Sequence, residues 1–312
     1  MKQAAATSPG SQNEQSLSIG VVLTMLVLAL VWGANMAVVK LAAGQLPPIF
    51  QAGVRSVVAA ACLWVWMAVK GVPVFPSKVV VAHGLVLGLL FGAEFGILYP
   101  GMVFTNVARS YLLLYTAPFF VAVGAHFWLP GDRLTRLKVA GLVLAFGGLV
   151  VLFGQGLDRI TPRALLGDLF SLIAGALWGA TTVYLKRFLA ERAQALQTLF
   201  YQLFFSGPLL LAASFFLEDP LSANLTGFGV FSLFYQSVIV AFISYLAWFN
   251  LIHHHPASLV QAFTFFTPVA GVLISGFWIM HENVELRLLI SLILISVGLV
   301  LVNRPARKAT VV

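Results

Sequence analysis

The chain of 312 residues has one cysteine, Cys62, and only 9% of its residues are charged. One thiol excludes a disulfide framework or a multi-cysteine metal centre within the chain. Soluble domains carry about 25% charged residues, so this sequence has too few to cover a water-facing surface. Acidic groups are the scarcest, 10 against 18 Lys and Arg, and the net charge is +8. The sequence also holds no His-Glu-x-x-His pair and no Gly-rich loop ending in Lys-Ser or Lys-Thr, the signals of a zinc hydrolase and of a phosphate cradle. No cofactor, no metal and no ATP-driven step are expected. His253-His254-His255 does not change this, because adjacent helical residues point about 100° apart and do not converge on one ion. A solvated loop before Pro256 is the expected setting of that triplet.

What is present is apolar sequence, 60% of all residues. It falls into ten runs at 18–41, 49–69, 79–99, 111–129, 137–154, 166–185, 195–217, 229–252, 257–280 and 286–302. Each is close to the length that a helix rising 1.5 Å per residue needs to cross about 30 Å of hydrocarbon. The expected class is an all-α membrane protein. The connections are short and marked by Pro47-Pro48, Pro130-Gly131, Pro162 and Asp219-Pro220, so no soluble domain is inserted. Residues 1–17 lack the basic start, short apolar stretch and small-residue cleavage site of a secretory signal and read as a disordered tail; 303–312 form a second tail. With the N-terminus in the cytoplasm, twelve of the 18 basic residues fall on the inner side and five, Lys40, Arg109, Arg159, Arg163 and Arg287, on the outer side. That bias sets both termini in the cytoplasm. The positive charge is thus read as topology, not as a nucleic-acid surface.

The sequence repeats at an offset near 150 residues. Trp32-Gly33-Ala34 recurs as Trp178-Gly179-Ala180. Pro118, Phe127-Trp128 and Asp132 recur as Pro268, Phe277-Trp278 and Glu282, and Gly148-Leu149-Val150 recurs as Gly298-Leu299-Val300. The halves 18–154 and 166–302 hold five spans each, and an odd number inverts the second relative to the first. Inverted repeats suit alternating access around one central site. The order Trp32-Gly33-Ala34-Asn35, Arg55, Pro118, Gly131-Asp132-Arg133-Leu134 and Gly141 resembles the EamA repeat of the drug/metabolite transporter superfamily. The resemblance covers nearly the whole chain. It implies a ten-helix bundle of two such repeats in a bacterial cytoplasmic membrane that exports small metabolites such as amino acids or facilitates their movement.

Glu94 stands alone within an apolar run, where a carboxylate needs pairing, hydration or a proton. Counting about 1.5 Å per residue, Glu94, Asn35 and Arg55 lie at one depth, roughly 8–9 Å from the outer ends of their spans. Glu94 and Arg55 form a structural pair, or Glu94 binds substrate or a proton. Arg55 either snorkels to the interface or receives a substrate carboxylate on its planar donors. Lys40, at a span end, is expected to snorkel. Gly84, Gly88, Gly92 and Gly96 recur every fourth residue, a stripe suited to close helix packing on a face away from Glu94. Symmetry adds Trp178, Tyr184, Gln202, Tyr245, Trp248 and Gln261 as cavity candidates, of which Trp178, Tyr245 and Trp248 are the expected inner contacts. Pro118 and Pro268, read as matched kinks inside helices, are expected gating hinges. Expected partners are a small-molecule substrate, the bilayer and protons as a coupling ion, with the protein a monomer or homodimer. The rival readings are a membrane-embedded enzyme using Glu94 as an acid or base, which would need a second catalytic group at the same depth that Arg55, holding its proton, does not supply, and a channel, which needs a continuous polar lining.

The topology is directly testable. In a Cys62→Ser background, single cysteines at Ser8 and Thr310 should react with a membrane-impermeant maleimide only after cells are opened. One at Asn224 should react in intact cells; the reverse pattern would invert the assignment.

Overall fold

A computed structural model describes residues 17–154, 161–275 and 286–304. Most of the two tails, Arg159, Phe277, Trp278 and Glu282 lie outside the described residues. We label the helical stretches α1 (Ile19–Ala42), α2 (Pro48–Val69), α3 (Lys78–Phe104), α4 (Val107–Trp128), α5 (Arg136–Phe153), α6 (Pro162–Leu189), α7 (Ala195–Leu217), α8 (Gly227–His254), α9 (Ala257–Ile274) and α10 (Leu286–Val302). Among the described residues, α1 to α9 are long and apolar enough to cross a membrane, and α10 is a shorter apolar helix of 17 residues. In hydrocarbon no water satisfies the backbone, so spanning segments bond within themselves. At four helix starts, where the first amides have no intrahelical partner, side chains do the same work: Ser18, Ser77, Thr135 and Thr161 each accept a hydrogen bond from the backbone three residues on.

The helices pack as two halves related by an inverted pseudo-two-fold. α2 lies against α7 and α5 against α10, each helix meeting its own counterpart. The contact of α1 with α9 is repeated by α6 with α4, and that of α3 with α7 by α8 with α2. The repeated glycines make these contacts. A Cβ on Gly33 would stand 2.5 Å from Gly271 N and 2.8 Å from Ala270 C, while one on Gly179 would stand 2.7 Å from Phe120 Cβ. Gly141 and Gly298 meet each other's backbone, each 2.5 Å from the other's carbonyl oxygen in the same sense. Small residues let backbones approach where burial of apolar surface gives no drive between helices.

Several expectations are corrected. α3 continues to Phe104, past Tyr99 and through Pro100. The stripe on α3 packs on α7 only through Gly84, Gly88 and Gly92, which face Tyr201, Phe205 and Leu209, whereas a Cβ on Gly96 meets nothing within 4 Å. Neither Pro118 nor Pro268 kinks a continuous helix. α4 breaks into Val107–Leu114 and Ala117–Trp128, α9 passes through a 3-10 turn at Phe263–Phe265, and each proline sits in the first turn of the segment after the break. Proline is tolerated there because first-turn amides have no intrahelical partner. His253 and His254 end α8 and are not in a loop: their Nδ1 atoms lie 2.7 Å from Phe249 O and Asn250 O, and only His255 lies past the helix. α8 also holds a π-helical stretch, Tyr235–Ser244, directly before Tyr245.

Both ends of the bundle are tied. On the face that carries Ser18 and Arg304, buried Asp132 accepts hydrogen bonds from the Ser258 amide at 2.9 Å and from its hydroxyl, and pairs with Lys138 Nζ at 2.7 Å. This links the α4–α5 turn to the start of α9. On the opposite face Arg109 pairs with Asp168, which also accepts from Thr105 Oγ1 at 2.9 Å. There Glu218 accepts from the amides of Ile49 and Phe50 at 3.0 and 3.1 Å, while partial burial holds its carboxyl above the usual carboxylate range. That placement of an acid at a helix start is favoured by the helix dipole.

Packing through backbone leaves no room to give, so Gly33→Ala and Gly179→Ala should each cost about 1–3 kcal/mol and lower the thermal unfolding midpoint in detergent. Gly96→Ala should leave it unchanged or raise it, since no neighbour opposes the methyl group.

Candidate functional site

A cavity of about 140 Å³ lies between the two halves. This is room for a small organic molecule, since a single water needs only ~10–15 Å³ on this measure. α1, α2, α3 and α4 line it from the first half, and α6, α7, α8 and α9 from the second. Lining residues toward the face away from Ser18, such as Val39, Met102 and Tyr111, are half-buried. Those toward the other end, Leu185, Phe249 and Ile252, are buried. The cavity therefore closes on the side of the Asp132 link.

Asn35, Arg55, Glu94, Trp178, Tyr245 and Trp248 all line this one cavity, as does Gln202. Tyr184 and Gln261 do not. The Tyr184 hydroxyl lies 2.6 Å from His83 Nδ1, and buried Gln261 accepts from Thr182 Oγ1 at 3.2 Å. Pro118 and Pro268 also stand outside the lining. Lys40 is exposed, in keeping with a span end.

Arg55 does not snorkel, being only 1% exposed. The guanidinium carbon lies 4.6 Å from the Phe95 ring centroid, 5.9 Å from Tyr245 and 6.0 Å from Phe91. Three aromatic faces stabilise the cation but accept none of its N–H groups in the plane of the fork. No carboxylate of the described residues comes within 4 Å of it, so Arg55 and Glu94 share the cavity without forming an ion pair. Nε and Nη2 of Arg55, Oε2 of Glu94, Oδ1 of Asn35 and Oε1 of Gln202 are buried without a hydrogen-bond partner from the protein. All four side chains line the cavity. Buried polar groups are mostly paired in proteins; Gln236, Ser237, Gln261 and Asn303 also hold an unpartnered atom outside the lining, but the cavity gathers more of them than any other place and is the candidate site.

The rest of the wall is aromatic. Trp32 donates Nε1–H to Ser244 Oγ at 2.9 Å and stands edge-on to Tyr245 and Trp248, at 5.7 and 5.1 Å between centroids. Trp178, its counterpart in the second half, stands edge-on to Tyr115 at 5.7 Å. Sequence reasoning on polar depth passed over Trp32, Phe91 and Phe95. The signal was present, because Phe91 stands three residues before Glu94 and four before Phe95 on α3, and three-residue and four-residue spacings share a helix face.

The repeat also shows which polar positions are doubled. Asn35, Arg55 and Glu94 correspond, at offsets of 146, 147 and 150, to Thr181, Gln202 and Ser244. Thr181 and Gln202 line the cavity, and Ser244 holds Trp32. The first half thus supplies both charges and the second half neutral polar groups.

Comparison with known proteins agrees with this architecture. The model of the EamA-like transporter family matches residues 19–154 and again residues 165–304. An uncharacterised transporter of Bacillus subtilis, YoaV, is 27% identical over 282 residues, covering 90% of this chain and 96% of its own. A probable amino-acid metabolite efflux pump of Escherichia coli is 26% identical over 289 residues, covering 89% and 92%. One crystal structure superposes with a TM-score of 0.77 at 20% identity, covering 91% of this chain and 96% of its own, which shows a shared fold. With the family model met twice in tandem, and with apolar helices packed as two inverted halves, the chain is a multi-pass membrane protein that belongs to the EamA-like transporter family.

Proposed function

We propose that the chain is a secondary transporter of the cell inner membrane, with both termini cytoplasmic, that exports or facilitates small organic metabolites, amino acids or similar, by alternating access. The observation that carries this reading is the cavity at the interface of the two inverted halves. It is lined by unpartnered polar atoms, opens toward one face and closes at the other. A channel needs a continuous polar path, and the closed end argues for a carrier. An enzyme reading would need Glu94 to work with a second proton-trading group; Arg55 holds its proton, and the membership in a transporter family weighs against it. The E. coli relative, named as an amino-acid metabolite efflux pump, supports the substrate range. The two broken spans, α4 and α9, are the proposed moving parts, with Pro118 and Pro268 at the breaks as hinges; discontinuous helices recur at the sites of such carriers. The driving force is the solute gradient or proton exchange at Glu94, and the working unit is a monomer or homodimer.

In proteoliposomes, a panel of labelled amino acids and related metabolites should include solutes whose uptake saturates and is accelerated by unlabelled solute inside. Linear, non-saturating flux would remove the carrier reading. Accumulation driven by an imposed pH gradient, lost in Glu94→Gln while counterflow persists, would place proton coupling at Glu94. Equal uptake with and without the gradient would make the protein a facilitator.

A further inference from the structure

Because α4 and α9 are each broken near the middle, each has an outer and an inner half. The outer halves, Val107–Leu114 and Phe266–Ser275, bring Tyr111, Leu114 and Thr267 to the cavity wall. The inner halves, Ala117–Trp128 and Ala257–Ala262, bring nothing to it and pack on each other, with Ala257 buried among Val121, Ala125 and Leu129. Asp132 joins them. Gly131 before it, at φ +85°, takes the left-handed backbone that glycine adopts without strain, and the turn carries the Asp132 side chain inward to 4% exposure. There it accepts from the amide and hydroxyl of Ser258 and pairs with Lys138, whose Nζ also donates to Ser258 Oγ at 3.1 Å. The repeat does not double this arrangement. At the offset of 150, Ala108 stands where Ser258 stands and Leu288 where Lys138 stands, each at the same place in its helix, and neither side chain forms hydrogen bonds. The Arg109 pair with Asp168 on the opposite face joins α4 to α6, a different contact from the turn-to-helix link that Asp132 makes.

We propose that Asp132 is the latch of the cytoplasmic gate: with Lys138 and Ser258 it clamps the inner halves of α4 and α9 together, and its release lets them part at the two breaks and opens the cavity to the cytoplasm. This rests on the alternating-access reading above and deepens it. A charged latch has two satisfied states. With the gate shut, carboxylate, ammonium and hydroxyl answer one another out of water. With it open, water entering from the cytoplasm solvates each of them, so neither state strands a buried charge. The apolar contacts of Ala257 have no such second state. Since Ala108 and Leu288 cannot make the same clamp at the outer mouth, the arrangement with the inner gate shut is the resting one. The half-buried lining toward the outer face and the buried Leu185, Phe249 and Ile252 toward the inner one agree with that. Asp132 stands outside the cavity lining and acts through the two helices, which makes it a positioning residue for transport.

The test uses the full chain in a Cys62→Ser background and reads solvent access with a membrane-impermeant maleimide. Val39→Cys, toward the open mouth, reports from outside in intact cells, and Ile252→Cys, toward the shut end, reports from the cytoplasmic side in inside-out vesicles. With Asp132 in place, Val39→Cys should react the faster of the two. Asp132→Asn should speed labelling of Ile252→Cys about tenfold, the scale of one charge-assisted contact, and slow that of Val39→Cys. Lys138→Gln, which leaves both Ser258 contacts to Asp132, should move both rates the same way by a smaller factor. Asp132→Glu, which keeps the charge, should move them least. Loss of packing alone would speed both sites together. Ile252→Cys reacting as fast as Val39→Cys with Asp132 intact would overturn the inference whether or not a variant folds. So would an Asp132→Asn protein in which both rates are unchanged or both rise, and saturable exchange in proteoliposomes would then still leave the transporter reading standing. Opposed shifts in a chain that shows no saturable flux for any solute of the panel would uphold the latch and remove the carrier reading.

Discussion

Backbone-to-backbone contact at glycine is the interaction on which the bundle depends. Surrounded by lipid tails, two apolar helices gain little by hiding their side chains from each other, and their association rests on close packing and internal hydrogen bonds. Gly33 against Ala270 and Gly271, Gly179 against Phe120, and Gly141 against Gly298 set helices closer than any larger residue permits. The same contacts recur in both halves because the residues recur in both halves. They set α1, α6, α4 and α9 around a common centre, and the cavity is the space that this frame leaves unfilled.

Charges are treated differently at the ends and at the centre. Toward the two faces, Asp132 is met by Lys138 and Ser258, Asp168 by Arg109 and Thr105, and Glu218 by the first amides of α2. These groups tie loops to helix starts, each with a partner from the protein. At the centre, Arg55 and Glu94 stand in one cavity without touching. A stable bundle has no use for that separation, since a buried charge without a partner is destabilising. The aromatic cage of Phe91, Phe95 and Tyr245 surrounds the guanidinium. In the proposed function this open space receives the solute, and the residues toward the Asp132 end, Leu185, Phe249 and Ile252, are buried.

Much of this was legible in residue order. Hydropathy alone outlined the runs that became α1 to α10, and α7 and α10 coincide with the apolar runs 195–217 and 286–302. Counting rise per residue put Asn35, Arg55 and Glu94 at one depth, and the structure brings all three to one cavity. The misreadings share a cause. Gly96 fits the four-residue period of its stripe, but α3 diverges from α7 beyond Gly92, and a period says nothing about where a neighbour ends. Pro118 and Pro268 looked like interior kinks because the breaks before them, at Tyr115 and Thr116 and at Phe263–Phe265, are made of residues with no turn signature. Arg55 looked able to snorkel because depth was counted along its own helix; the rings that enclose it come from α3 and α8.

The sequence by itself determined that the chain lives in a membrane, that it is built twice over with the halves inverted, and that three polar side chains share a level, because hydropathy, parity and helical rise are properties of one strand of chain read in order. The tertiary structure alone decided that Arg55 and Glu94 face one cavity without pairing, which end of that cavity is closed, and which rings surround the cation. Those outcomes depend on the relative placement of helices from opposite halves, α2 and α3 against α8, separated by more than a hundred residues, and no local period carries that information.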